Sequence, residues 1–304
     1  NIKREVSGEK PDFVRWFSEL NKGSGSIAGG KGANLAEIYN LGIPVPPGFV
    51  VTAQAYDYFI KISGLGEKIR TLLEKIDYEN TALLDQITKE IRGLIENGKF
   101  SEEMRNEILE AYEILGAEDS NLENKTASYI IRKTPEPIFV AVRSSATTED
   151  LAEASFAGQQ ETFLNVKGGN DLLQNIKKCF ASLFTSRATY YRNRKGFKHE
   201  NASLAVVVQK MVDSDKSGVI FSKDPSMKRE DVIIEAVFGL GEGIVSGRIS
   251  PDRYIISPNG LQILEKEIGN KKIAIIRNAA GGQQIIKLTE ERARQQVLKD
   301  QEVK

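Results

Sequence analysis

The chain has 304 residues, with 42 Lys+Arg against 42 Asp+Glu, so its formal net charge is zero. That balance excludes the basic surplus of a nucleic-acid coat, and 40% hydrophobic residues exclude wholesale disorder and suffice for about two packed units. The single Cys179 excludes an intramolecular disulfide and fits a reducing compartment, while no apolar run reaches the ~18 residues of a bilayer span. With a polar start and neither a nucleic-acid nor a membrane partner indicated, a cytoplasmic setting is expected.

In chain order, a short amphipathic stretch, Phe13 to Phe17, passes into the Gly/Ser-rich run Lys22 to Gly30, expected to be a loop. It is followed by Lys31 to Ile38, where Leu35 and Ile38 stand at helical spacing, so the loop should deliver Lys31 to a helix N-terminus. Pro44, Pro46, Pro47 and Gly48 end that helix. Residues 53 to 115 read as helices, with Leu72, Leu73 and Ile76, then Leu83, Leu84 and Ile87, then Ile91, Leu94 and Ile95 at three- and four-residue steps. After a polar linker around Glu118 to Lys125 the texture turns to short β-branched runs. The expected strands are Ile138–Val142, Leu204–Val208, Gly218–Phe221, Val232–Glu235 and Tyr254–Ile256, with helical patterns at about 170 to 195. The fold class is α+β, and Thr289 to Lys304 is expected to be one helix.

Several segments can carry chemistry. Gly29-Gly-Lys31-Gly32 offers close backbone approach, a helix end and a point charge, a combination suited to phosphate, although a solvated glycine turn explains it as well. Val140-Ala-Val-Arg143-Ser144-Ser145 is an apolar strand ending in an Arg whose planar fork matches phosphate, with hydroxyls in support. The alternative is Arg143 paired to Glu149 or Asp150, with Ser and Thr as helix caps. Ala154 to Thr162 combines small residues with a polar run, as in a flap that folds over a triphosphate or in an ordinary hairpin turn. Gln209, Lys210, Met211 and Val212 form the polar end of an apolar strand, where Met211 and Val212 can sandwich a purine or simply pack a core. Glu235 and Glu242 are the acidic candidates for Mg2+. His199, the only histidine, lies in a polar stretch and is expected at the surface, and Cys179 is expected in the core.

Taken together, Gly29 to Leu35, Gly42 to Thr52, Val142 to Thr147, Ala154 to Thr162 and Gly239 to Glu242 closely resemble the phosphoenolpyruvate synthase (pyruvate, water dikinase) family from about Phe13 to Tyr254. The likeness is shared less closely with rifampicin phosphotransferase and pyruvate, phosphate dikinase. It implies an ATP-grasp nucleotide-binding domain, made of residues 1–52 with 126–200 and a second subdomain at 201–304, with 53–125 as a helical insertion. It further implies that Lys31 and Arg143 hold phosphates and act in catalysis, and that Thr162 lies in the covering flap. Gln209, Lys210, Met211 and Val212 would line adenine and ribose, with Glu235 and Glu242 near the ribose and phosphates. ATP and Mg2+ are the implied cofactors. In that family ATP phosphorylates a histidine on a separate domain, giving AMP and phosphate, and the phosphohistidine converts pyruvate to phosphoenolpyruvate, a gluconeogenic step.

The sequence departs from the family in lacking a Gly-Gly-x-Thr-Ser-His-like segment. The late Asp-x-Glu and Gln-x-Arg strands that hold the metal have only Asp300-Gln-Glu302 as a partial match. The chain is therefore expected to be an N-terminal, ATP-binding portion with its metal ligands beyond Lys304, and its partners to be the missing phosphohistidine and pyruvate-binding domains. A rifampicin-type phosphotransferase or a nucleotide-binding module without turnover are the alternatives.

Overall fold

The computed structural model describes residues 11–120, 137–147, 161–226, 230–278 and 281–304, with the backbone alone at 118–120. The backbone divides into two units, Asn1–Met211 and Val212–Lys304.

In the first unit, β1 (Val14–Trp16) is followed by α1 (Gly25–Asn40), β2 (Gly48–Val51), and the helices α2 (Ala53–Ile62), α3 (Leu65–Leu73), α4 (Thr81–Asn97) and α5 (Glu102–Ser120). Then come β3 (Phe139–Ala146), β4 (Thr162–Lys167), α6 (Gly169–Ser182), α7 (Ser186–Arg194) and β5 (Leu204–Lys210). Helix starts are set locally: Thr52, Asn80 and Thr185 accept hydrogen bonds from the main-chain N–H groups of Ala55, Leu83 and Ala188. Each thereby satisfies one of the N–H groups that the first turn leaves without an intrahelical partner.

The five strands form one antiparallel sheet in the order β1-β2-β5-β3-β4. Because strand side chains alternate, the sheet sorts its residues onto two faces. Val140, Val142, Val206 and Val208 join α4 and α6 through Ile87, Ile91, Ile95, Leu172, Ile176, Cys179 and Phe180 in the larger core. The opposite face, through Val50, Ala205 and Val207, packs on Ala28 and Ala36 of α1. The small residues of α1 allow this close approach: a side-chain carbon added at Gly32 would lie 3.3 Å from Val50 and 3.5 Å from Val207.

In the second unit, β6 (Lys216–Phe221), β7 (Val232–Phe238), the short α8 (Glu242–Val245), β8 (Asp252–Ile256) and β9 (Ile263–Glu267) build an antiparallel sheet ordered β6-β7-β8-β9. A separate hairpin of β10 (Ile273–Arg277) and β11 (Gln283–Lys287) precedes the short helices α9 (Glu290–Ala293) and α10 (Asp300–Val303). Ile234, Ala236, Phe238, Tyr254 and Ile256 meet Ala274, Val297 and Val303 in its core. Within that core the Lys271 ammonium and the Asp252 carboxylate, both wholly buried, form an ion pair.

The expected strands and the helical patterns at 53–115 and 170–195 are all present. Three expectations are corrected. Lys22–Gly30 is no loop: Lys22–Ser24 forms a 3-10 turn and Gly25 onwards is helical except at Gly29, because Ala28, Ala33 and Ala36 favour helix and the packing of α1 on the sheet offsets the weak helix preference of the glycines. Thr289–Lys304 is not one helix but two single turns, since Val297 is buried between them and its N–H donates to Asp252 at 2.7 Å. His199 is partly buried rather than a surface group, as described below.

Candidate functional site

The expectation that a helix begins at Lys31 rests on one residue. Gly29 interrupts α1 with φ 67° and ψ 172°, so the helix effectively restarts at Gly30 and Lys31 stands in its first turn. That left-handed conformation favours glycine, and a side chain there would also run into the main-chain carbonyl and hydroxyl of Ser145. The break thus lies directly on the tip of β3. Three contacts fix it. The Ser145 hydroxyl donates to the Ala28 carbonyl (2.8 Å) and accepts from the Gly32 N–H (3.2 Å), and the Lys31 ammonium donates to the Ser144 carbonyl (3.4 Å).

Arg143 precedes these serines on β3. It pairs with Val207 of β5 and with Thr162 of β4, and directly paired residues point to the same face. Since Val207 packs on α1, Arg143 and Thr162 stand on the α1 face, as does Gln209, which pairs with Ala141 two residues before Arg143. Lys31, Arg143, Thr162 and Gln209, separated by up to 178 residues, therefore share one face of one sheet. Arg143 is partly buried, and its Nε, which is fully buried, makes no hydrogen bond among the described residues. Burial lowers its pKa from the ordinary guanidinium value without discharging it at neutral pH.

The other sequence candidates fall out differently. Gln209 is 8% exposed and its amide donates to the Pro46 carbonyl (3.1 Å). The N–H groups of Lys210 and Met211 are taken by the Pro47 and Phe139 carbonyls, at 3.0 and 2.9 Å. Val212 is 57% exposed and opens the second unit. Glu235 lies on β7 opposite Val219 and Arg253, and Glu242 opens α8. No three His, Cys, Asp or Glu side chains among the described residues are gathered closely enough to hold a metal ion. Thr148, Glu149, Asp150 and Ala154 to Gln160, and with them most of the expected flap and the alternative partners of Arg143, lie outside the described residues.

The serine hydroxyls, expected to support phosphate, are engaged elsewhere: that of Ser144 donates to the Glu161 carbonyl (3.3 Å), and that of Ser145 is bound as above. Sequence alone marks Ser145 as a candidate hydroxyl but gives no signal for its partners, which lie 113 and 117 residues away. Nor does it reveal Asn165, a buried residue at φ 56° in the irregular stretch of β4, with neither polar side-chain atom hydrogen bonded among the described residues.

His199 belongs to a separate cluster. The Arg192 Nε donates to its Nδ1 (3.1 Å), which places the imidazole hydrogen on Nε2, 2.9 Å from the Tyr78 hydroxyl. Burial, and then the Arg192 charge, depress its pKa to about 4, so it is neutral. Cys179 is wholly buried in the larger core and desolvation raises its thiol pKa, which makes it unreactive.

The structure thus brings a glycine break, a lysine and a partly buried arginine to one sheet face, and comparison with known proteins gives this arrangement a context. Residues 25–304 match the family model described as pyruvate phosphate dikinase, AMP/ATP-binding domain. The chain is 44% identical, over its whole length, to a probable phosphoenolpyruvate synthase of Methanocaldococcus jannaschii, of which it covers 24%. It is 46% identical over 95% of its length to one of Archaeoglobus fulgidus and 41% identical over 96% to the phosphoenolpyruvate synthase of Pyrococcus furiosus, covering 36% and 39% of those proteins. The chain thus spans between a quarter and two-fifths of these relatives, and no described helix is long and apolar enough to cross a membrane. With the family model matching nearly all of it, the chain belongs to the pyruvate phosphate dikinase AMP/ATP-binding domain family.

Proposed function

We propose that this chain is the ATP-binding portion of a phosphoenolpyruvate synthase, with an ATP-grasp fold into which the helices of residues 53–125 are inserted. The observation that carries the reading is the joint placement of the Gly29 break, Lys31, Arg143 and Thr162 on the α1 face of the first sheet, with the Arg143 Nε left without a partner among the described residues. A buried donor without a partner costs stability unless a ligand supplies the acceptor. A triphosphate does so. Lys31 would act as a point charge and Arg143 as a fork, together meeting the negative charge that redistributes over the phosphoryl oxygens during transfer. Thr162, opposite Arg143, would lie under the phosphates, and residues 209–212 would line the purine and ribose. Glu235 and Glu242 are proposed near the ribose and phosphates, and Mg2+ is taken to arrive with the nucleotide, with no ligand set assigned to it in this chain. In the longer relatives' type of protein, the phosphoryl group would pass to a histidine and then to pyruvate on other domains.

Calorimetric titration with ATP tests this. Lys31→Ala and Arg143→Ala are each expected to weaken ATP binding by ~10-fold or more, the usual cost of one charge-assisted hydrogen bond. Unchanged affinity in both variants would falsify the assignment.

A further inference from the structure

Ser145 is wholly buried, and its hydroxyl does two things at once. It donates to the carbonyl of Ala28, immediately before the left-handed Gly29, and accepts from the N–H of Gly32, in the first turn after it. A serine hydroxyl has one hydrogen to give and takes further hydrogens on its lone pairs, so both contacts are chemically consistent. The Gly32 N–H belongs to the group of first-turn donors that a helix start leaves unpaired, and Ser145 supplies the partner. One side chain therefore bridges the two sides of the break.

The same two-residue tip of β3 carries the Ser144 carbonyl that receives the Lys31 ammonium, and the residue before it is Arg143. The position of Lys31 relative to Arg143 is thus set by how residues 28–32 are tied to residues 144–145. We propose that Ser145 is a positioning residue for the triphosphate: it touches no phosphate, and fixes the separation between the Lys31 and Arg143 charges by clamping the Ala28–Gly32 break to β3. The inference rests on the phosphate-site reading above and deepens it. Displacing a charge by a fraction of its contact distance loses much of a preorganised interaction, even though both charges remain in the molecule.

The experiment compares wild type, Ser145→Ala and Lys31→Ala in calorimetric titrations with ATP and, in parallel, with adenosine, each folded state checked by circular dichroism. Ser145→Ala is expected to weaken ATP binding ~10-fold, as for loss of about one hydrogen bond's worth of alignment, and to leave adenosine affinity within about twofold. A merely structural serine gives either unchanged ATP affinity or an equal loss for both ligands, and each of these results overturns the proposal. Should Ser145→Ala fail to fold, Ser145→Cys, which fills the space with a poor hydrogen-bonding group, is held to the same criteria. Amide hydrogen exchange on the ligand-free wild type gives an independent arm: the Gly32 N–H is expected to be protected, and exchange at the rate of an open amide overturns the clamp. If Lys31→Ala binds ATP as wild type does, the phosphate-site reading itself fails and the proposal with it; if Lys31→Ala is weakened while Ser145→Ala is not, only the positioning role fails.

Discussion

Two buried charges, Asp252 in the second unit and Arg143 in the first, are treated in opposite ways. In the second, the Asp252 carboxylate is saturated: it pairs with the Lys271 ammonium, accepts from the N–H groups of Gly269 (3.0 Å) and Val297 (2.7 Å), and lies 3.4 Å from the Tyr254 hydroxyl. Lys271 also donates to the Gly269 carbonyl at 2.9 Å. In the first, the buried Arg143 Nε and both polar atoms of the Asn165 amide have no partner among the described residues. A saturated buried pair is a structural joint whose charges are fixed by one another, whereas an unsatisfied buried donor on a sheet face waits for an acceptor from outside. Burial alone does not separate a joint from a candidate site, and an unsatisfied atom is not sufficient either: the Arg253 Nε of the second unit is likewise buried without a partner among the described residues.

The contrast can be broken most forcefully at Asp252. Asp252→Ala leaves Lys271 buried without a counter-charge and strands two N–H groups, so urea unfolding should show a loss of about 3–5 kcal/mol. Replacing Asp252 and Lys271 together by Leu and Met should recover only part of that, because Gly269 and Val297 still lose their acceptor. Arg143 should behave the other way. Arg143→Met removes a donor that the free protein does not satisfy, so stability in the absence of nucleotide should stay level or rise by up to ~1 kcal/mol. A clear loss of stability there would show that Arg143 is a joint after all.

The smallest expected effect concerns His199, a third case in which a buried titratable group is satisfied only when neutral. Its pKa is about 4 in the folded chain against an ordinary 6.5, so between these values the unfolded chain binds more protons than the folded one. Stability should fall as pH drops from about 6.5 towards 4, with Arg192, Tyr78 and Tyr56 as the charged and titratable groups of this cluster. In His199→Asn this part of the pH dependence should disappear from denaturant midpoints; an unaltered profile would place the titration elsewhere.

Much of this was legible from residue pattern. The apolar runs around Val140, Val206 and Ile234 could only be strands, and Gly29-Gly-Lys31 marked a helix start even though the run before it is itself helical. What could not be read was long-range. Nothing local says that Ser145 would meet Gly32, that Arg192 would draw His199 under cover, or that the acceptor of Asp252 would interrupt the last helical pattern at Val297. The glycines of α1 were misread for a related reason: their weak helix preference is visible in sequence, while the sheet surface that offsets it is not.

Cys179 is the only thiol in the chain and lies wholly inside the larger core of the first unit. It is therefore a built-in clock. A thiol reagent can modify it only in the moments when that core opens, so the rate of labelling measures the opening of the first unit alone, and under the proposed function added ATP is expected to slow it.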